Sequence, residues 1–134
     1  MIALLIFQGR CSVTMPHKQA IIPLLSGLSP AARAIGAVNT IIRTSPGTLL
    51  GDNTDWIGIV EPLSAVLGDR KRARALVIGA GGTARAACYA LQQMAFADVF
   101  VHNRTSAKAE LLAAEFGCTA LQTLGGRSQY LAQR

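Results

Sequence analysis

Apolar positions follow two different periods along this chain. Ala75-Leu-Val-Ile78 and Asp98-Val-Phe-Val101 are short runs with an apolar core. Their length and β-branched content predict strands. Between them, residues 83–94 repeat at helical spacing. Ala84, Ala87, Cys88 and Leu91 share one face, and Arg85, Tyr89, Gln92 and Gln93 the other. A second helix is predicted from Ser106 to Phe116, closed by Gly117, with Ala109, Leu112, Ala113 and Phe116 inward. Strand, helix, strand, helix is the order of a parallel βαβ unit.

The first half reads differently. Met1 to Phe7 is apolar and predicts a buried strand, and Cys11 to Thr14 predicts a strand end. Pro16 breaks it. Lys18 to Leu25 predicts a helix, with Pro23 near its start or at a kink. Ser29-Pro30 is a helix start, an N-cap followed by Pro at the first helical position, and the short helix Ala31–Ile35 stops at Gly36. Ala37 to Ile42 predicts a strand. Asn39 is unusual inside it, because a buried amide needs partners or a ligand that supplies them. Ser45-Pro-Gly47 is a turn, and Thr48-Leu-Leu50 returns as a hairpin partner. Asp52, Asn53 and Thr54 favour a loop or cap before a helix from Trp56 to Leu67, kinked or broken at Pro62. The chain therefore divides into residues 1–55, a connecting helix and linker 56–74, a second unit 75–124 and a tail 125–134. A cleft between the two units would hold a small-molecule substrate.

Composition narrows the class. The chain has 134 residues, 51% of them hydrophobic and 5% aromatic, so a largely aliphatic core is expected rather than disorder. Its formal charge of +6 fits an anionic partner. Arg70-Lys-Arg-Ala-Arg74 is the dense basic run, and it sits at a predicted strand end. Without zinc-finger spacing or an aromatic stripe, nucleic-acid binding is not expected. Met1 to Phe7 is far shorter than the ~20 residues of a membrane span and lacks secretion-signal features. Cys11, Cys88 and Cys118 are odd in number with no C-x-x-C, which fits reduced thiols in the cytoplasm and no metal site.

The chemistry centres on Gly79-Ala80-Gly81-Gly82-Thr83-Ala84, between the first predicted strand and its helix. Gly79-x-Gly81-x-x-Ala84 has the spacing of a dinucleotide-binding turn. Gly79 permits the tight turn, Gly81 lets the backbone approach a pyrophosphate, and Ala84 lets the helix pack close to its strand. The pyrophosphate then meets unpaired N–H groups at the positive end of the helix. An NAD-binding unit carries an acidic residue at the end of the second strand, where it bonds the ribose hydroxyls. This chain has His102-Asn103-Arg104-Thr105 there, with Lys108 one turn beyond. A guanidinium binds a 2′-phosphate that a carboxylate would repel, so NADP(H) is expected.

Val13-Thr-Met-Pro-His-Lys18, Gly36-Ala-Val-Asn-Thr40, Gly51-Asp-Asn-Thr-Asp55, Gly79-Ala-Gly-Gly-Thr-Ala-Arg85 and Asn103-Arg-Thr105 follow one another in that order. Together, from about Phe7 to about Leu124, they closely resemble the shikimate dehydrogenase family. The Asp-Asn-Thr-Asp-Trp form is most like its version in the fungal pentafunctional aromatic-pathway polypeptide. The resemblance implies an α/β chain, a partial substrate-binding domain followed by a partial Rossmann domain. It implies reversible NADPH-dependent reduction of 3-dehydroshikimate to shikimate. Lys18 and Asp55 match the family's catalytic pair, and Thr14 and Asn39 match positions that bind substrate hydroxyls. It also implies segments beyond this chain at both ends, including a serine pair for the substrate carboxylate. An uncovered sheet edge would then invite self-association or a partner chain. A non-catalytic NADP-binding remnant and a quinate or shikimate dehydrogenase relative are the alternative readings.

Overall fold

The computed structural model describes residues 9–124. The strand expected at Met1–Phe7 and the tail 125–134 lie outside the described residues.

Two sheets form, one from each half. The first contains β1 (Arg10–Ser12), β2 (Gly27–Leu28), β3 (Thr40–Ser45) and β4 (Thr48–Asp52), in the order β1-β3-β4-β2. β3 and β4 are the expected antiparallel hairpin around Pro46-Gly47. The short helix α1 (Pro30–Ile35) is capped as its sequence predicts. Ser29 Oγ accepts from the Ala32 N–H at 3.0 Å, and Gly36 closes the helix at φ 66°. Ile21, Ala32, Val38 and Ile41 form the core of this half.

Two expectations fail in this half. Lys18–Leu25 is not an α-helix. It is a run of turns ending in a 3-10 turn at Ile22–Leu24. Pro23 has no N–H to donate to the Gln19 carbonyl, which is taken instead by Ile22 at 3.2 Å. The strand expected from Ala37 begins only at Thr40, which pairs with both Ser12 and Asp52. Upstream, the Val38 N–H leaves the ladder and donates to the Lys18 carbonyl at 2.7 Å.

The helix α2 (Asp55–Leu67) joins the halves and runs through Pro62 without a break. The second sheet is parallel, in the order β5 (Arg74–Ile78), β6 (Asp98–His102), β7 (Thr119–Leu121). The connecting helices are α3 (Gly82–Gln93) and α4 (Ser106–Phe116). Ala75, Val77, Val99 and Val101 share one sheet face by register, and both helices pack on it through Cys88, Leu91, Ala109, Leu112, Ala113 and Phe116. Two successive crossovers of the same hand place both helices on the same side. Each large aliphatic side chain buried there contributes about 1.5–3 kcal/mol. The opposite face is thinly covered: Leu76 is 41% and Ile78 68% exposed. Among the described residues β5 pairs only with β6. Beside it an apolar hollow of about 610 Å³ is lined by Leu63, Leu76, Ile78 and Phe96.

The halves meet along α3. Ile35, Ala37 and Ala86 are buried there with Trp56, Ile59 and Tyr89 against them. Trp56 and Tyr89 stack edge to face at 5.4 Å. The face of α3 opposite its apolar stripe is therefore partly covered, and Arg85 on it is buried. Helical periodicity finds the face packed on its own sheet, but carries no sign of a second lobe docking on the other. No helix among the described residues is long and apolar enough to cross a membrane.

Candidate functional site

The turn after β1, the hairpin end and the start of α2 converge on Asp55. Its carboxylate accepts from Lys18 Nζ on Oδ2 at 2.6 Å and from the Asn39 amide on Oδ1 at 2.8 Å. The Lys18 and Asp55 side chains are 12% and 22% exposed, so the pair is sheltered but reachable. Asp55 is the first residue of α2, where the helix dipole favours a carboxylate. The same lysine nitrogen lies 3.2 Å from Thr83 Oγ1 in the first turn of α3. Lys18 thus reaches from one lobe to the other.

The link from the end of β4 to α2, Asp52–Thr54, is held by its own polar groups. Asn53 is buried, donates from its amide to the Ala37 carbonyl at 2.9 Å and accepts from the Asp55 N–H at 3.0 Å. Asp52 Oδ1 accepts from Ser29 Oγ at 2.5 Å and from the Asn53 N–H at 2.8 Å. Asn53 and Asp52 carry no site role in the sequence reading. Their signal there is a polar run between an apolar strand and a helix, which predicts a loop but not its partners.

Asn39 is fully engaged. Its amide nitrogen donates to Thr54 Oγ1 and Asp55, and its oxygen accepts from the Thr40 hydroxyl at 2.9 Å and the Thr54 N–H at 3.0 Å. Asn39 is half-buried, and the partners its amide needs come from the protein itself. Asn39 thereby holds the carboxylate of Asp55 in place. Thr14 is exposed at the start of the turn, where its carbonyl accepts from the His17 N–H at 2.9 Å. Among the described residues its hydroxyl makes no hydrogen bond to the Lys18–Asp55–Asn39 cluster.

The glycine-rich turn has the predicted form. Gly79 sits at φ 121°, a conformation that suits glycine. Gly81 is the N-cap of α3, and no side chain caps the helix there. A Cβ on Gly81 would meet nothing within 4 Å, so open space faces the unpaired N–H groups. A pyrophosphate fits that cradle. Gly82 is different, since a Cβ there would stand 3.0 Å from Lys18 Cβ and 3.4 Å from Ala37 Cβ. Glycine at this position lets the two lobes touch.

Ala80, Gly81, Gly82, Asn103, Arg104, Thr105 and Lys108 line one cleft of about 530 Å³ together with Lys18. Arg104 and Lys108 are exposed at its rim. The Asn103 amide donates to the Thr105 carbonyl at 3.0 Å and shapes the loop before α4. Thr83 and Ala84 lie on the other side of the turn and help line the apolar hollow beside β5. The structure therefore brings Lys18, an anion cradle and two rim cations to one opening, with Asp55 held against the lysine.

Comparison with known proteins gives a consistent picture. Residues 3–41 match the shikimate dehydrogenase substrate binding domain, and residues 62–133 match shikimate / quinate 5-dehydrogenase. The chain is 47% identical over 117 residues to the pentafunctional AROM polypeptide of Yarrowia lipolytica, covering 87% of this chain and 8% of that one. It is 44% identical over 107 residues to shikimate dehydrogenase (NADP(+)) of Lysinibacillus sphaericus, covering 79% of this chain and 39% of that one. It superposes with a TM-score of 0.72 and 41% identity on shikimate 5-dehydrogenase from Thermus thermophilus, solved in complex with NADP(H) and shikimate, covering 84% of this chain and 42% of that one. The chain thus spans less than half the length of each of these relatives.

Proposed function

The chain belongs to the shikimate dehydrogenase family, and from that premise we propose that it carries the acid–base pair and dinucleotide turn of an NADP(H)-dependent shikimate dehydrogenase. The reaction is reversible reduction of 3-dehydroshikimate to shikimate, on the route to chorismate and the aromatic amino acids. One observation carries the reading: Lys18, paired with Asp55, opens onto the same cleft as Ala80, Gly81 and Gly82 of the glycine turn.

The residues divide the work as follows. Gly79 to Ala84 hold the pyrophosphate of NADP(H) at the N-terminus of α3. Asn103, Arg104, Thr105 and Lys108 hold the adenosine end, with Arg104 on the 2′-phosphate. When bound, the nicotinamide supplies or accepts the hydride. The Lys18 ammonium stabilises the substrate oxygen that gains charge on reduction and gives it a proton. Such help is worth about 10²–10⁴-fold. Asp55 orients Lys18 and accepts from a neighbouring substrate hydroxyl. Thr14 and Asn39 stand at further hydroxyl positions, and a hydroxyl reaching the Asn39 amide would replace Thr54 or Asp55 there. Residues 1–55 act as the substrate domain, 56–74 as the link and 75–124 as the cofactor domain.

The cytoplasm is the compartment that fits three cysteines standing as free thiols. A second copy, or a further part of a longer protein, would cover β5 and its exposed Leu76 and Ile78. Light scattering of the purified chain tests that, since a monomer at all concentrations contradicts self-association.

The decisive experiment is NADP⁺ reduction by the purified chain with shikimate, with quinate in parallel. Turnover with shikimate, abolished in Lys18→Ala, is the expected result. A second reading rests on the short span relative to the relatives. In it the chain binds NADP(H) without catalysis. Folded protein that binds NADP⁺ but turns over neither acid would establish it in place of the first.

A further inference from the structure

Arg85 stands two residues beyond Thr83 and, with Glu115, lines the inner wall of the same cleft, yet belongs to neither the acid–base pair nor the rim cations. It is only 9% exposed, an unusual setting for a guanidinium. A buried charge is costly unless its donors are met, and here three groups meet it. Nε donates to the Ile35 carbonyl at 2.5 Å. Nη2 donates to the Glu115 carboxylate. The guanidinium carbon lies 5.4 Å from the centre of the Phe116 ring. Ile35 ends α1 in the first lobe, whereas Glu115 and Phe116 end α4 in the second. One side chain spans the seam.

The first-lobe contact falls at a sensitive place. Ile35 is the last residue of α1, and its carbonyl needs a donor from outside the helix. A Cβ on the next residue, Gly36, would stand 2.5 Å from Arg85 Nη2. Glycine there serves the left-handed φ of 66° and the guanidinium lying against it. The three residues that follow build the site. Val38 N–H holds the Lys18 carbonyl, the Ala37 carbonyl holds the Asn53 amide, and the Asn39 amide holds Asp55.

We propose that Arg85 is a positioning residue that sets the Lys18–Asp55–Asn39 cluster against the phosphate-binding turn. It rests on the reading of this cleft as a dehydrogenase site. The first turn of α3 grips the cluster at two points, Thr83 on the ammonium and Arg85 on the backbone behind it. Adhesion between the lobes comes from Ile35, Ala86, Trp56 and Tyr89. The guanidinium adds what apolar contact lacks, a fixed distance and direction through its planar fork. Without it the lobes stay attached but Lys18 loses its register with the turn.

The test uses the full chain as wild type, Arg85→Met, Arg85→Lys and Glu115→Gln. A misplacement of about 1 Å costs on the order of 10²-fold, so Arg85→Met should lower kcat about 10–100-fold while each KM stays within about threefold. Arg85→Lys should recover part of the loss, since an ammonium still reaches the Ile35 carbonyl. Glu115→Gln, which keeps an acceptor, should retain most of the activity. Trp56 is the single tryptophan and sits on the seam, so its emission should shift in Arg85→Met and return in Arg85→Lys. Wild-type kcat in Arg85→Met, or no recovery in Arg85→Lys, overturns the proposal. Should Arg85→Met fail to fold by circular dichroism, Arg85→Lys decides: lower kcat at constant KM supports the role, and wild-type kcat overturns it. Should the wild type bind both ligands and not turn over, the catalytic reading fails. Trp56 then decides alone, a reversible shift supporting the strut and an unmoved emission refuting it.

Discussion

Lys18 and Asp55, 37 positions apart in the chain, meet at 2.6 Å, and the lysine nitrogen also lies 3.2 Å from Thr83. An ammonium so placed belongs to both lobes. Lys18→Ala should lower turnover about 10²–10⁴-fold, the range of general acid–base help. NADP⁺ affinity should change little, because the anion cradle is built by α3 and the loop before α4. Asp55→Asn keeps the Asn53 contact to its backbone and the shape of the site, so its loss should be smaller than that of Lys18→Ala. Steady-state kinetics beside an NADP⁺ titration check both statements. A parallel fall in turnover and NADP⁺ affinity would assign Lys18 to binding instead.

Two adjacent glycines should fail in different ways. Gly81 has extended backbone and open space where a Cβ would go. Gly81→Ala should therefore melt close to wild type yet lose about tenfold or more in NADP⁺ affinity, since about 1.4 kcal/mol is tenfold. At Gly82 the new methyl would press on Lys18 Cβ and Cδ, at 3.0 and 3.2 Å. Gly82→Ala should therefore lower turnover more than it weakens NADP⁺. A thermal melt, a titration and a kinetic run on each variant separate the cases. Equal effects on binding would mean that both glycines face the cofactor.

Much of this was readable from local signals. The four inward residues of α4 follow from helical period alone, and Ser29, Gly36 and Gly117 punctuate helices as such residues do. The glycine turn is legible because its spacing and its strand–helix context coincide. What escaped depends on contacts between distant residues. Arg85 looks like a solvent-facing position until α1 and α2 dock over α3. Lys18–Leu25 looks helical because apolar spacing says nothing of the carbonyl that Pro23 leaves without a donor. The resemblance places Lys18 and Asp55 together, but no pattern shows Thr83 meeting the same nitrogen or Asn39 already satisfied.

Arg104 is the test of cofactor choice. It is exposed at the cleft rim with Lys108 on the turn beyond. A charge-assisted hydrogen bond is worth about 1.5–3 kcal/mol, so Arg104→Ala should weaken NADP⁺ about 10–100-fold. NAD⁺ has no 2′-phosphate and should be nearly indifferent. Because the site is solvent-facing, added salt should narrow the preference of the wild type for NADP⁺. Competition titrations at two ionic strengths check this. Equal weakening of both cofactors would remove Arg104 from the 2′-phosphate.

Cys88 gives a prediction that does not depend on catalysis. It is fully buried between α3 and the sheet, in the cluster that also holds Cys118. Burial, and then the neighbouring Cys118 thiol, push its pKa from 9.0 up to about 12. In the folded chain it should resist alkylation at about pH 8, where an exposed thiol is already partly thiolate. The sign of the pH effect follows from proton counting. Above 9 the unfolded chain releases this proton while the folded chain keeps it, so the folded state holds more protons and stability falls as pH rises toward 12. Below 9 both states keep the proton and Cys88 adds no slope. Cys88→Ala should therefore flatten the alkaline limb of a melting-temperature profile, leaving the part due to Cys118, whose pKa burial also raises. Identical limbs in the two proteins would show that Cys88 titrates alike folded and unfolded.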